Sequence, residues 1–280
     1  MTARFAILAV LVQPAPPALI VRADARSMQP GELVLLTVTT PAPVETMRVR
    51  AFDRLQSAYR VDATTWRVLV GIDLDTATGA YPVAISAPAS GTARTAYRLM
   101  VRPKAFPTRR LTLDDAFVNP PASVDARIAA EAKELATLWT GSEPERLWTG
   151  AFAPPVPEPA NSAFGSRSIL NGSPRSPHGG ADFAAPSGIP VAAPNAGRVV
   201  LAKELYYTGN TVVIDHGLGL FSLFAHLTVV DVRASQAIKA GDVIGAVGAT
   251  GRVTGPHLHW AVRANGARVD PLSLLALLGR

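Results

Sequence analysis

Apolar and polar residues alternate along most of the first hundred positions, in short runs separated by Gly, Pro, Asp and Ser. Alternation with a period of two is typical of strands that have one buried face. Residues 18–103 contain about seven such runs, of which 33–39, 65–72 and 79–86 are the clearest. The pattern predicts one β-sandwich unit over residues 18–103.

The pattern changes over residues 104–147. Apolar residues recur there at helical spacing, at positions 124, 128, 132, 135 and 138. This spacing predicts one amphipathic helix over residues 124–139, and Ser123 is placed to cap its first amides. We therefore interpret residues 104–147 as a connector with one helix.

Residues 148–280 are predicted to form a second β-rich domain. Its proline-rich first segment, 148–156, carries large apolar side chains that we expect to pack on the domain core. Short β-branched runs separated by glycine turns follow, and the Asn265-Gly266 pair is typical of a hairpin turn. Residues 270–278 are predicted to close the chain as a short apolar helix. The predicted fold class is thus mainly β, with a helical connector between two β domains.

Composition agrees with two domains and narrows the chemistry. A chain of 280 residues with 48% hydrophobic residues is long enough to bury two cores. The formal charge of +6 is spread over both halves, which is typical of an ordinary protein surface and gives no dedicated nucleic-acid arm. The chain has no cysteine, so a metal would have to be held by histidine and carboxylate groups.

The N-terminus has the pattern of a secretory signal. A short basic start, residues 1–4, precedes an apolar run over residues 5–12 that is too short to span a bilayer. We predict a signal peptide over residues 1–17, export to the periplasm or cell envelope, and no stable transmembrane segment after its removal. The alternative is a frayed apolar N-terminus.

All five histidines lie between residues 178 and 259, and two of them form a pair with informative spacing. Side chains alternate along a strand, so His257 and His259 are predicted to share one face. The spacing from His178 to Asp182 differs, because on a straight strand their Cα atoms would lie roughly 13 Å apart. The chain must curl there to bring both side chains to one metal, and Gly179-Gly180 supplies backbone freedom.

These residue types fit a hydrolytic zinc site. Imidazole and carboxylate groups are zinc ligands, and three protein ligands leave a fourth position open for catalysis. Zinc in such a site supplies Lewis acidity and lowers the pKa of water toward neutrality. Further imidazoles can move the proton and stabilise the oxyanion. The spacing alone does not say which of the five histidines are ligands.

Four motifs resemble those of the lysostaphin-type zinc metallopeptidases, whose fold is the duplicated hybrid motif of antiparallel sheets. They are HGGADFAAP at 178–186, VIDHG at 213–217, FAHL at 224–227 and TGRVTGPHLHW at 250–260. The resemblance covers about residues 148–275. The front half resembles, through weaker motifs, the immunoglobulin-like N-terminal region of some exported members.

The resemblance implies a role for each histidine. It implies that one zinc ion per chain is bound by His178, Asp182 and His259, and that His226 and His257 act in catalysis. His216 belongs to a strand-end motif and is expected to be structural.

One position departs from the family pattern. Some members carry a tyrosine shortly before the first zinc histidine, and residues 168–177 contain none. Arg167 or Arg175 could take over its place at the oxyanion.

The function that the resemblance implies is an exported endopeptidase that hydrolyses peptide bonds in peptidoglycan cross-links or cross-bridges. Its partners would then be stem peptides or cross-bridges, with no nucleic acid, and a regulatory protein is a further candidate partner. The alternative is a non-catalytic regulator or activator of other cell-wall hydrolases. Such family members have lost zinc ligands, whereas this chain keeps all three ligands and both additional histidines.

Overall fold

The structure is a computed structural model that describes residues 19–88, 93–112, 120–161 and 164–279. The predicted signal peptide lies outside the described residues. Strands dominate the described chain, and the only two α-helices within it are α1, Asp125–Leu138, and α2, Pro271–Leu278. The mainly β fold class predicted from the sequence is confirmed.

The N-terminal half contains two four-stranded antiparallel sheets. Its strands are β1 (Ile20–Ala25), β2 (Leu33–Thr39), β3 (Arg48–Ala51), β4 (Arg54–Gln56), β5 (Ala58–Arg60), β6 (Thr65–Gly71), β7 (Gly79–Ala87) and β8 (Ala93–Val101). One sheet has the order β1-β2-β6-β5 and the other β4-β3-β7-β8. Their facing side chains form one apolar core, which includes Leu36, Val68, Ile85 and Leu99. The two sheets form a sandwich, and its relation to immunoglobulin-like domains stays a prediction.

The connector contains more than the predicted helix. Strand β9, Thr108–Leu111, pairs in parallel with a strand of the C-terminal half, so part of the connector belongs to that half's structure. A 3₁₀ turn, Ala122–Val124, leads into α1. The predicted cap by Ser123 is wrong: Ser123 lies inside this turn, the N-cap position falls on Val124, and no side chain caps the helix.

The C-terminal half is built around a nine-stranded sheet. Strands β10 (Arg167–Leu170) and β11 (Ser173–Pro174) form a separate three-stranded sheet with β9, in the order β11-β10-β9. The strands of the nine-stranded sheet are β12 (Gly180–Phe183), β13 (Pro190–Ala192), β14 (Gly197–Leu205), β15 (Gly209–Asp215), β16 (Leu220–Val230), β17 (Ala237–Ile238), β18 (Val243–Val247), β19 (Leu258–Ala264) and β20 (Ala267–Val269). The central order is β12-β19-β16-β15-β14-β17, and the strands of this sheet pair antiparallel. Trp148, Phe152 and Val156 of the proline-rich segment are buried in its core.

The two halves share an apolar boundary. Leu33, Leu35 and Leu69, from strands β2 and β6, belong to the same buried cluster as Trp148 and the C-terminal core. Because neighbouring residues of these strands face the sandwich core instead, β2 and β6 are covered on both faces. The N-terminal half is therefore packed onto the C-terminal half through the two central strands of sheet β1-β2-β6-β5.

Ion pairs add specificity to this boundary. The Arg26 guanidinium lies 2.8 Å from the carboxylate of Glu32 and 2.7 Å from that of Asp270, and both carboxylates are buried. Arg268 pairs with Asp73 across the same boundary at 2.6 Å. These charges have partners, so they are compatible with burial and fix how the halves meet.

Among the described residues, no helix is both long and apolar enough to cross a bilayer.

Candidate active site

Three side chains converge at one edge of the C-terminal sheet. The Nε2 atom of His178 lies 3.1 Å from Oδ1 of Asp182 and 3.0 Å from Nδ1 of His259. Oδ1 of Asp182 and Nδ1 of His259 lie 2.9 Å apart. The three atoms form a nearly equilateral triangle, and no other such group of possible metal ligands is found in the described part of the chain.

The pairing of two strands places two of these side chains. In the antiparallel pair of β12 and β19, Asp182 is in register with His259, so their side chains lie on the same face. His178 precedes β12, and the chain turns there through backbone bonds in which Gly165 donates to His178 and His178 donates to Ser166. The side chains of His178 and Asp182 meet, as the sequence predicted for a common metal site.

The prediction that Gly179 and Gly180 supply special backbone freedom is wrong. Neither Gly179 nor Gly180 has a positive φ. Gly180 is required by close approach instead, because a Cβ atom there would lie 2.5 Å from the carbonyl oxygen of Trp260 and 2.7 Å from the ring of His259. The absent side chain lets β12 lie against the metal ligand.

The triangle fits a zinc ion. Ligand atoms of a tetrahedral zinc with bonds of about 2.0 Å lie about 3.3 Å apart, close to the 2.9 to 3.1 Å found here. Three lone-pair donors so close together need a cation or protons between them. Zinc is the metal of this site, since two imidazoles and a carboxylate are its typical ligands and the absence of cysteine removes the alternative thiolate set.

The surroundings keep this donor set ready for a cation. Burial raises the pKa of the Asp182 carboxyl, but hydrogen bonds with His178 and His259 outweigh it and hold that pKa well below its usual range. Burial lowers the pKa of His259, which keeps its imidazole neutral near pH 7. A carboxylate and a neutral imidazole are the forms that bind metal.

His226 reaches the site through a backbone irregularity. It lies in β16, where the register with β15 shifts between Asn210 and Val212, and its φ is +66°. A bulged residue in a left-handed conformation turns its side chain out of the regular alternation. The His226 ring thereby lies 4.8 Å from that of His257 and 6.0 Å from that of His259, centroid to centroid.

Hydrogen bonds set the tautomers of His226 and His257. Nδ1 of His226 lies 2.9 Å from the carbonyl oxygen of Thr250, and Nδ1 of His257 lies 3.0 Å from that of Gly255. A carbonyl oxygen only accepts, so Nδ1 carries the proton in both rings and Nε2 of a neutral ring has a free lone pair. Burial lowers the pKa of His226 to about 4, so this ring is neutral at pH 7. Nε2 of His257 lies 3.9 Å from Oδ1 of Asp182.

The predicted common face of His257 and His259 is present in the structure. Leu258 and Trp260, between and after them, are fully buried on the opposite side of β19. His257 comes just before the strand and is held by a bridge to Gly248.

His216 lies apart from this group. It is fully buried, with Nδ1 2.8 Å from the carbonyl oxygen of Ala196 and Nε2 3.0 Å from the hydroxyl of Ser222. The edge of the Phe152 ring packs on it, with ring centroids 5.2 Å apart. Both ring nitrogens are thus used inside the core, which supports the structural role expected for this residue.

We expect His216 to make the fold less stable in acid. Burial lowers its pKa to about 4, whereas an unfolded histidine has a pKa of about 6.5. Between these values the unfolded chain binds more protons, so stability falls as the pH falls from 6.5 to 4, by an amount of the order of 3 kcal/mol. Urea unfolding with chelator present should show this loss in the wild type. His216→Asn keeps a donor for Ala196 and should show a smaller loss; parallel curves for the two proteins would contradict the assignment.

Two features of the site were not visible in the sequence. The carbonyl of Thr250 orients His226, and its hydroxyl donates to Leu227 and accepts from the amide of Asn210. Every residue has a backbone carbonyl, so the residue type at position 250 could not indicate this hydrogen bond. The second feature is a depression of about 370 Å³ whose lining includes Arg127, Tyr206, Tyr207 and Arg252.

Tyr207 and its neighbour are tied to the site by backbone bonds. The carbonyl of Tyr207 accepts from the amide of Arg252, and the carbonyl of Thr208 accepts from the amide of His226.

The two arginines that could replace the tyrosine absent from residues 168–177 differ in exposure: Arg167 is exposed and Arg175 is half-buried. Their proposed part at the oxyanion stays a prediction.

Comparisons with known proteins agree with this geometry. The sequence profile of Peptidase family M23 matches residues 176–271. The DD-carboxypeptidase/endopeptidase Mpg of Neisseria meningitidis is 44% identical over 97 residues, which is 35% of this chain and 22% of that protein. The peptidoglycan DD-endopeptidase ShyA of Vibrio cholerae is 43% identical over 96 residues, 34% of this chain and 22% of that protein. The matched part of the chain thus spans about a fifth of the length of these curated relatives.

A solved structure extends the similarity to nearly the whole chain. The crystal structure of a putative peptidase M23 from Pseudomonas aeruginosa superposes with a TM-score of 0.69 and 30% identity. The alignment covers 90% of this chain and 96% of that one. The family profile and this solved structure both place the chain in the class of metallopeptidases. The chain belongs to Peptidase family M23.

Proposed function

We propose that this chain is an exported zinc-dependent endopeptidase that hydrolyses peptide bonds in the cross-links of bacterial peptidoglycan. The observation that carries the proposal is the donor triangle of His178, Asp182 and His259, with the free Nε2 atoms of His226 and His257 beside it. This arrangement places a metal site beside two imidazoles, His226 and His257, whose tautomers are fixed by hydrogen bonds to backbone carbonyls.

Each side chain has a proposed part in the reaction. His178, Asp182 and His259 would hold the zinc ion, which supplies Lewis acidity for the scissile carbonyl and acidifies the attacking water. His226, neutral and with Nε2 unprotonated, takes a proton from that water. Once protonated at Nε2, a ring in this position can donate to the oxyanion or to the leaving amine. His257 has the same tautomer and lies close enough to share these tasks.

The substrate follows from the relatives. Mpg and ShyA are named as a DD-carboxypeptidase/endopeptidase and a peptidoglycan DD-endopeptidase, and the family profile covers all the site residues of this chain. These names support a cell-wall substrate for this chain, which agrees with an envelope location.

Digestion of purified sacculi tests the proposal. The full chain, loaded with zinc, is expected to release soluble fragments whose masses identify the broken bond as a peptide bond between stem peptides. A chelator should stop the release and added zinc should restore it, with about one zinc per chain by elemental analysis.

A matched measurement addresses the regulator alternative. If the zinc-loaded chain releases no fragment by itself yet accelerates a second wall hydrolase, the chain is a regulator and the endopeptidase proposal fails.

A further inference from the structure

The free face of sheet β4-β3-β7-β8 points away from both apolar cores. The central strands β2 and β6 of the other sheet are covered on both sides, so this is the broad sheet face that the N-terminal half offers to solvent. Strand β7 runs between β3 and β8. Its outward residues are all small: Ala80, Pro82, Ala84 and Ser86.

Arginines flank this strip of small residues on both sides. Arg48 and Arg50 project outward from β3, and Arg94 and Arg98 project outward from β8. The register places Arg48, Ser86 and Arg94 in one row across the sheet. We call this surface the arginine groove: its walls are these four arginines and its floor is the four small residues of β7.

Two shallow depressions confirm that the floor lies lower than the walls. One, of about 290 Å³, is lined by residues that include Arg48, Arg50, Ala84 and Arg94. The second, of about 260 Å³, lies over Ala80, Pro82, Ala96, Tyr97 and Arg98. They occupy successive parts of the same strip.

The positive charge of the groove is not neutralised by the protein. None of the residues of strands β3, β4, β7 and β8 is acidic. Within the described residues, no carboxylate lies at ion-pair distance from Arg48, Arg50, Arg94 or Arg98. Like charges on one sheet face repel one another, so an anionic partner would be attracted to this face and would relieve the repulsion.

The spacing of the arginines indicates the shape of that partner. Two strand spacings separate Arg48 from Arg94, which is roughly 10 Å, and four residues separate Arg94 from Arg98, which is roughly 13 Å along the strand. One small anion cannot contact sites so far apart. An extended polymer with repeated anionic groups can contact all of them.

The chemistry of the walls indicates carboxylates. All four wall residues are arginine, whose planar guanidinium matches a carboxylate with two parallel hydrogen bonds. A surface that inserts into lipid would instead need large apolar or aromatic side chains on the same face. Here the floor is made of alanine, proline and serine, and the only large apolar side chains exposed on the described strands of this face, Leu55 on β4 and Met100 on β8, stand singly on its outer strands.

We propose that the arginine groove binds an extended carboxylate-bearing polymer, namely the peptide-bearing strands of peptidoglycan. The identity of the polymer rests on the function proposed above, whereas the groove itself does not. The N-terminal half then holds the polymer and the C-terminal half hydrolyses it.

Pelleting with purified sacculi tests the groove directly. The full chain is kept in chelator so that it binds without hydrolysis. Arg94→Glu with Arg98→Glu is expected to weaken binding by about tenfold or more, because two attractive contacts become repulsive. Ala84→Tyr, which fills the floor without changing the charge, should also weaken binding. Sacculi whose carboxyl groups have been amidated should bind the wild type as poorly as the double variant binds untreated sacculi.

The control variant carries the same change of charge on another surface. Arg233 and Lys239 are exposed in the C-terminal half, and replacing both with Glu should leave sacculus binding within about twofold of the wild type, since exposed charges beyond a Debye length of about 8 Å are screened. Equal binding by the control and the groove variant would overturn the proposal. Stronger binding of the wild type to anionic lipid vesicles than to sacculi would also overturn it, in favour of a membrane partner.

A soluble substrate separates this proposal from the proposed function. On a small cross-linked peptide dimer, the groove variant with zinc should hydrolyse as fast as the wild type, because the substituted arginines are not part of the active site and the dimer lacks the glycan strand and neighbouring peptides that the groove would hold. If the wild type hydrolyses neither substrate while the groove variant still loses sacculus binding, the endopeptidase proposal fails and the groove stands.

Discussion

Replacing Asp182 with Asn is expected to lower hydrolysis of sacculi by about 10³-fold or more, equal to about 4 kcal/mol of transition-state stabilisation. The amide keeps the shape of the side chain but loses the negative charge that two histidines hold in place. Without it the two remaining ligands bind zinc weakly. Zinc content after dialysis and the rate of fragment release measure the two effects separately.

The matched control is the same substitution at an exposed carboxylate. Asp231→Asn lies outside the site and should leave both zinc content and rate unchanged. Full activity of the Asp182→Asn protein at wild-type zinc content would show that Asp182 is not a ligand. Thermal unfolding with chelator present checks that the fold survives the change.

Replacing His226 with Asn is expected to lower kcat by about 10²- to 10⁴-fold, the usual contribution of a general base, while zinc stays bound. Asparagine is chosen for two reasons. It tolerates the positive φ of this position, and its amide can still donate to the carbonyl of Thr250. The substitution therefore removes the basic Nε2 atom but keeps the backbone conformation and the hydrogen bond to Thr250.

His257→Asn provides the companion measurement. Its amide can donate to the carbonyl of Gly255 in the same way. If the two rings act on the same proton transfers, the double variant will be only slightly slower than the slower single variant. Loss of zinc from either variant, or an unchanged kcat in both, would contradict their proposed part in catalysis.

The strands could be predicted from the sequence because their side chains alternate between a buried and an exposed face. Runs such as 33–39 and 79–86 lie within a residue of strands β2 and β7. The same alternation put His257 and His259 on one face. Local patterns of this kind survive folding because tertiary packing reinforces them.

The features that escaped prediction depend on neighbours that are distant in sequence. The need for Gly180 comes from Trp260 and His259 on the adjacent strand, and the left-handed turn of His226 comes from a register shift against β15. Ser123 satisfies the rule for a helix cap, but the chain enters α1 through a 3₁₀ turn that moves the N-cap to the next residue. Residue types alone contain none of this information.

The covering of strands β2 and β6 on both faces has a mechanical consequence. A hinge needs a boundary that can open without exposing apolar surface, and here opening would expose Leu33, Leu35 and Leu69 to water. We therefore expect the two halves to move as one body. If the arginine groove binds a peptidoglycan strand and the zinc site hydrolyses it, the distance between the two sites is constant. That distance would then determine which cross-link along the bound strand can reach the zinc site.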